Sequence, residues 1–391
     1  MAEAYIVAAA RTAGGKRGGR VSGWHPVDLA AQVIDALIDR SGADPALVED
    51  VIMGCVLQAG EQSGCIGRMA ALASKLPLHV PGVTIDRQCG SSQQALHFAA
   101  QAVMSGTMDC VIAAGVESMS RIPMANLGKV YKEAGLGHYM SPVIRQRFPG
   151  PDFSQFMGAE MIAEKHKLTK EQLDRFSLLS HQRARAATLE GAFKAEVVAI
   201  DVRLPDGSGG EQHTADEGIR MEATLEGIAS VKTLREGGYI SAANASQICD
   251  GASGVMVVNE KGLKALGVKP LARIHHLTVI GGDPVIMLEA PLQATTHALK
   301  KVGMKIDDID LFEVNEAFAS VPLAWLLHTG ADPAKLNVNG GAISLGHPLG
   351  ASGTKLMTTL VHALHARGKR YGLQTMCEGG GQANVTIVER L

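Results

Sequence analysis

The chain of 391 residues repeats itself once at long range, and no other feature limits its possible folds as much. Residues 26–55, PVDLAAQVIDALIDRSGADPALVEDVIMGC, read as helix, short turn, acidic turn and strand. Residues 290–318, APLQATTHALKKVGMKIDDIDLFEVNEAF, read the same way. Around them, PLARIHHLTVI at 270–280 mirrors the first strand at 4–9, LNVN at 336–339 mirrors VTID at 83–86, and YGLQTMCEGG mirrors DCVIAAGVES. This period far exceeds the roughly 20–50 residues of solenoid repeats, so it points to a duplicated half-domain rather than an array. Strand–helix alternation in each half implies mixed, mostly parallel sheets covered by helices. The second half runs from TMCEGG straight into a final strand, QANVTIVERL. In the first half the matching strand, SGVMVVNE at 253–260, is separated from its partner by an insertion, 119–249. The insertion has helices of its own, one opened by Thr169 with Gln172 three residues on, a capping-box pattern.

Three stretches, two of them Gly-rich, carry the reactive side chains. Residues 336–353, LNVNGGAISLGHPLGASG, place His347 between a strand end and an apolar helix. Glycines let a backbone approach a ligand closely, although a tight turn with a surface His fits the same pattern. Residues 85–94, IDRQCGSSQQ, place Cys89 at a strand-to-helix junction, where unpaired N–H groups and the helix dipole favour an anion. Residues 375–384, TMCEGGGQAN, place Cys377 in a second turn. A thiolate is a nucleophile, an imidazole titrates near neutrality, and a thiol near pKa 8.5 can give and take protons. The other cysteines, Cys55, Cys65, Cys110 and Cys249, read as small packed side chains. None has CxxC spacing, so a zinc site is not expected. The His275–His276 pair lacks accompanying carboxylates or cysteines. GGKRGG at 14–19 lacks phosphate-loop spacing.

Together with NEAF at 315–318, these motifs resemble the thiolase family in order and spacing over essentially the whole chain. The resemblance implies an α/β fold of two duplicated βαβαβαββ halves, packed face to face as αβαβα layers with central helices between the sheets. The halves would be 1–118 plus 250–269, and 270–391, with 119–249 as an inserted loop domain that binds coenzyme A. It further implies thiolytic cleavage of 3-oxoacyl-CoA to acetyl-CoA and a shortened acyl-CoA, or the reverse Claisen condensation. Cys89 would be the nucleophile, His347 its base and Cys377 the second acid–base. Asn315 with a water and His347 would form one oxyanion hole, and the N–H groups of Cys89 and Gly379 the other. Arg220, Ser246 and Met157 match coenzyme A and pocket contacts, and Glu316 is a candidate orienter. Coenzyme A is a co-substrate, and no permanently bound cofactor or metal is implied. The family also implies a homodimer or a homotetramer, with 137–148 a candidate association element.

The sequence departs from biosynthetic thiolases at Phe156, where they commonly carry His, and at Ser92, where Gly is usual. Both departures argue for a longer or bulkier acyl chain than acetoacetyl, such as a lipid- or sterol-derived one. A decarboxylating condensing enzyme would need His or Asn in place of Cys377. A catalytically silent acyl-CoA carrier would be expected to lack a reactive residue. A Cys–His–Asn protease has no use for the second Cys or for the repeat. A net charge of −2 argues against general nucleic-acid binding, and no apolar run approaches the roughly 20 residues of a membrane span. The start, with an apolar run before its basic residues, reads as a first strand, which leads us to expect a cytoplasmic enzyme.

Overall fold

The computed structural model describes residues 2–391, except for the side chains of residues 125–127. The first half is built from β1 (Tyr5–Thr12), α1 (Pro26–Ser41), β2 (Asp50–Gly54), β3 (Gly82–Ile85), α2 (Ser91–Ser105), β4 (Cys110–Ser118) and β5 (Cys249–Val258). The second half repeats the plan with β6 (Ala272–Gly281), α3 (Ala290–Val302), β7 (Leu311–Val314), α4 (Ser352–Ala366), β8 (Tyr371–Glu378) and β9 (Gln382–Arg390). The equivalent of β3 shrinks to a single bridge, Phe312 to Leu336.

The core strands are buried on both faces. Ile52 faces one side of the sheet and Val51 and Met53 the other, as the two-residue period of a strand requires. On one side, α1 and the helix Ile66–Ala73 cover the first half. On the far side, α3 and the helix Ser320–Thr329 cover the second. Between them lies a shared cluster. It takes Ala95, Leu96, Ala99 and Val103 from α2, Met357, Leu360 and Leu364 from α4, and strand residues of both halves. The order is therefore helix, sheet, helix, sheet, helix.

Two expectations need correction. The sheets are not separate, because the first strands of the halves pair antiparallel at Tyr5–Arg273 and Ile6–Ala272. The continuous strand order is β7-β8-β9-β6-β1-β5-β4-β2-β3. Nor are they mostly parallel. Along this order only β2–β3, β2–β4 and β7–β8 are parallel, while β5 and β9 run antiparallel to their neighbours on both sides. In the second half the turn at 379–381 makes β8 and β9 a hairpin, which can only be antiparallel.

The central helices meet at their N-terminal turns. A Cβ on Gly353 would lie 2.0 Å from the backbone nitrogen of Gln93. Ser92 Oγ accepts the Thr354 N–H at 3.0 Å, and Gln374 Nε2 donates to the Gly353 carbonyl at 2.7 Å. Ser92 is fully buried in this contact, so it serves helix packing and says nothing about acyl-chain length. The 119–249 stretch adds helices Gln155–Lys165 and Lys170–Leu189 and a hairpin, Ile200–Arg203 with Gly209–His213. The Thr169–Gln172 capping box forms at the start of Lys170–Leu189.

Gly353→Ala inserts a methyl group where backbone stands. Overpacking of this kind costs about 1–3 kcal/mol, so the thermal midpoint should fall by several degrees. An unchanged midpoint would show that the helices can separate freely.

Candidate active site

Cys89 stands where β3 turns into α2. Gln88 adopts a left-handed conformation (φ 49°), and the turn is held by its own side chains. Asp86 Oδ1 accepts the Gln88 N–H at 2.6 Å. Ser91 Oγ accepts the Arg87 N–H at 2.9 Å and donates to the Gln88 carbonyl at 2.6 Å. Gly90 is the N-cap of α2. The Cys89 side chain is 8% exposed and packs with Leu57, Met119, Leu349, Leu356 and Met376.

His347 is not a surface residue; it is 4% exposed. Its Nδ1 bonds Ser352 Oγ, and that hydroxyl donates to the Pro348 carbonyl at 2.9 Å. Ser352 therefore receives the Nδ1–H, which leaves Nε2 free to accept a proton. Asn315 Nδ2 lies 3.4 Å from that Nε2, and Asn315 Oδ1 is buried without a partner. A cavity of about 20 Å³ lined by Asn315, Glu313, Ser352 and Lys355 is large enough for one water molecule.

Cys377 is fully buried at the end of β8. After it, Gly380 (φ 80°) and Gly381 (φ 77°) take left-handed conformations that favour glycine. Gly379 abuts the Cys89 turn, because a Cβ there would lie 2.8 Å from Gln88 Oε1. Thus Cys89 comes from one half, and His347, Cys377, Asn315 and Gly379 come from the other; the Cys89 thiol lies near enough to raise that of Cys377, and it packs against Leu349 and Leu356 from the stretch that carries His347 and Ser352.

Electrostatics differ from the sequence expectation. The helix N-terminus should have favoured a Cys89 thiolate. Instead burial, reinforced by the Glu378 carboxyl, pushes the thiol up to about 12. Burial, with the Lys355 ammonium nearby, lowers His347 to about 3. Burial also raises Cys377 well above the ordinary thiol value. At rest both thiols and the imidazole are neutral.

Arg220, Ser246 and Met157, the residues expected to contact coenzyme A, all lie within 119–249. The Ser246 N–H donates to the Ala317 carbonyl at 2.9 Å, beside NEAF. Met157 is 41% and Phe156 44% exposed, and the Phe156 ring meets Phe318 edge-on at 5.5 Å. Arg220 is exposed, with its N–H on His181 Nδ1. Gln247 joins the three regions. Its Nε2 donates to the carbonyls of Gly218 and Ile343 at 2.7 Å each, and its own carbonyl accepts the His347 N–H.

Of the supports, only Glu316 was expected from the sequence; Lys355 and Arg11 were not. Glu316 accepts from Ser180, Asn337 and the Ile343 N–H, so it fixes the loop leading to His347. Buried Lys355 donates to the carbonyls of Leu345 and Gly346. Buried Arg11 binds Glu196 and Asp216, tying β1 to the segment before Arg220. These partners lie far apart in sequence, so spacing carries no trace of them. Cys65 is exposed with φ 60°, not packed as expected; it occupies the left-handed residue before a helix. All six cysteines are free. Among the described residues no cluster of His, Cys, Asp or Glu could hold a metal, and no helix is long and apolar enough to cross a membrane.

A buried thiol, an imidazole with one free nitrogen and a second thiol, on duplicated α/β halves, suit covalent acyl transfer. Residues 4–261 match the thiolase N-terminal domain and residues 268–390 the thiolase C-terminal domain. The chain belongs to the thiolase family. It is 52% identical to the steroid 3-ketoacyl-CoA thiolase FadA6 of Mycobacterium tuberculosis, over all of this chain and 95% of that one. It is 40% and 37% identical to 3-ketoacyl-CoA thiolases of Pseudoalteromonas translucida and Bacillus subtilis, over the full length of both chains in each case.

Because His347 lies far below the ordinary histidine range, it stays a competent base through mildly acidic pH. The pH profile of kcat/KM should show no acid limb between pH 5 and 7, and a limb near 6.5 would contradict the buried environment. Ser352→Ala should lower kcat about tenfold or more with little change in KM, by releasing the imidazole tautomer.

Proposed function

We propose that this thiolase cleaves 3-oxoacyl-CoA through an acyl-Cys89 intermediate. The observation that carries the reading is that the Cys89 turn abuts Glu378 and Gly379 beside Cys377 and packs against Leu349, two residues from His347, whose Nε2 is left to accept a proton. Cys89 attacks the 3-keto carbon as its proton passes to His347 Nε2. The charge settles on the former carbonyl oxygen, which the Cys89 and Gly379 N–H groups or Asn315, its water and His347 can receive. The C2–C3 bond then breaks. The acetyl-CoA enolate takes its proton from Cys377, leaving acyl-Cys89. Coenzyme A gives its thiol proton to Cys377 and attacks the thioester, and Cys89 recovers its proton from His347. The resting thiols are neutral, so proton transfer accompanies attack rather than preceding it.

Arg220, Ser246 and Met157 hold coenzyme A in this reading, with 119–249 as the inserted domain. An exposed Arg suits a phosphate-bearing ligand, and Ser246 hangs beside NEAF. The acyl group is a bulky one, lipid- or sterol-derived. Cys89 lies among apolar side chains, Phe156 offers an exposed ring beside Phe318, and the 52% relative is named for a steroid substrate. A dimer or tetramer and a cytoplasmic setting complete the proposal.

The test is a panel of 3-oxoacyl-CoAs, from acetoacetyl to long-chain and sterol-like, incubated with coenzyme A and followed by product mass. Each substrate turned over should lose an acetyl unit, with a bulky chain the best. Acetoacetyl-CoA as the best substrate would overturn the chain-length reading. Cys89→Ala should reduce thiolysis at least about a thousandfold, the scale seen when a nucleophile is removed, with the fold intact. Substantial retained activity would overturn the scheme.

A further inference from the structure

Glu378 follows Cys377 in β8 and is fully buried, yet neither of its carboxyl oxygens has a hydrogen-bond partner. Few buried polar groups in folded proteins go unpaired, and each one that does calls for a reason. Packing alone would favour an apolar side chain here. The carboxyl lies against the nucleophile's turn, since a Cβ on Gly90 would meet Glu378 Oε1 at 2.0 Å. The charged and titratable groups around it are few. Arg87 belongs to the same turn, but its Nη1 donates to Gln382 at 2.7 Å, and among the described residues no cation forms an ion pair with Glu378. Cys89 lies on the turn and Cys377 on the same strand; Asp86 and Glu117 add negative charge at Cys89. The Arg87 charge and the Asn384 N–H of β9 favour the carboxylate, though neither makes a hydrogen bond of normal geometry to it, and burial outweighs both; the Asn384 side chain turns its amide to Gln94 and His97, and burial keeps His97 neutral.

An unpaired carboxylate in such a place is costly, so the group stands as the neutral acid. Burial moves its pKa up to about 8. The reaction requires one negative charge at this spot, on sulfur or on the substrate oxygen. A second one directly beneath would oppose it.

Resting on Cys89 as the nucleophile, we propose that Glu378 is a positioning residue of the reaction, a neutral carboxylic acid under the Cys89–Gly90 turn. When it ionises, it withdraws Cys89 from nucleophilic use. The group touches no substrate and acts through the sulfur.

The experiment is alkylation of Cys89 by iodoacetamide between pH 6.5 and 9.5. It is read on the Cys89 peptide by mass, because exposed Cys65 also reacts. Wild type is compared with Glu378→Gln and Glu378→Met, each checked by thermal unfolding. Below pH 8 all three rates should rise about tenfold per pH unit, following the thiolate. Above pH 8 the wild-type rate should level off as Glu378 ionises, because the two titrations are coupled. The variants should continue to rise and exceed wild type by about ten- to thirtyfold at pH 9.5, with a ratio near one at pH 6.5. If the Gln variant fails to fold, the Met variant and the break in the wild-type slope carry the test. An unbroken wild-type slope, or parallel slopes in all folded proteins, would overturn the proposal. Thiolysis is measured separately. Its absence in wild type would overturn the catalytic reading while leaving the alkylation comparison intact.

Discussion

The structure depends on the contact between α2 and α4. Two helices from duplicated halves meet where Gly353 faces Gln93 without room for a side chain. The Ser92 hydroxyl takes the Thr354 N–H across the gap. Every reactive group is placed by this contact. Cys89 precedes the first helix, His347 precedes the second, and Cys377 ends the strand whose Gln374 holds the Gly353 carbonyl. Neither half holds all of the candidate residues. A duplicated fold thus becomes one site by pressing the N-terminal turns of its two central helices together.

The site so formed is buried and electrically quiet. Burial leaves thiols and imidazole neutral, and it outweighs the helix dipole expected to stabilise a thiolate. Reactivity then comes from arrangement rather than from a standing charge. Ser352 fixes the imidazole tautomer, Glu316 and Lys355 fix the loop around it, and charge appears only as the substrate is attacked. Placing Glu378 at the same turn fits this economy, since an acid that stays neutral adds bulk without a competing charge.

Much of this was legible in the sequence, for definite reasons. The repeat is a matter of pattern, so the matching order of strands and helices in the two halves, and the turns that carry Cys89, His347 and Cys377, could be read from it. The capping box at Thr169 was local and formed as expected. What failed was long-range. Sheet continuity rests on two residue pairs at Tyr5 and Ile6, which no periodicity announces. Ser92 read as a departure from the biosynthetic pattern, and its part in helix packing could not be seen. The ties from Arg11 to Asp216, from Gln247 to Gly218 and Ile343, and from Glu316 to Ser180 join residues far apart in the chain. The thiol acidity was misjudged because a helix terminus can be recognised in sequence, whereas the depth of burial around it cannot.

The central claim is that an acyl group passes through Cys89. The most direct measurement is the mass of the intact protein and of its Cys89 peptide after one turnover of a bulky 3-oxoacyl-CoA with no added coenzyme A, quenched in acid. The account predicts one acyl group, two carbons shorter than the substrate's, on Cys89, released as an acyl-CoA when coenzyme A is added. Acetyl-CoA formed with unmodified Cys89, or an acyl group on Cys377 instead, would contradict it.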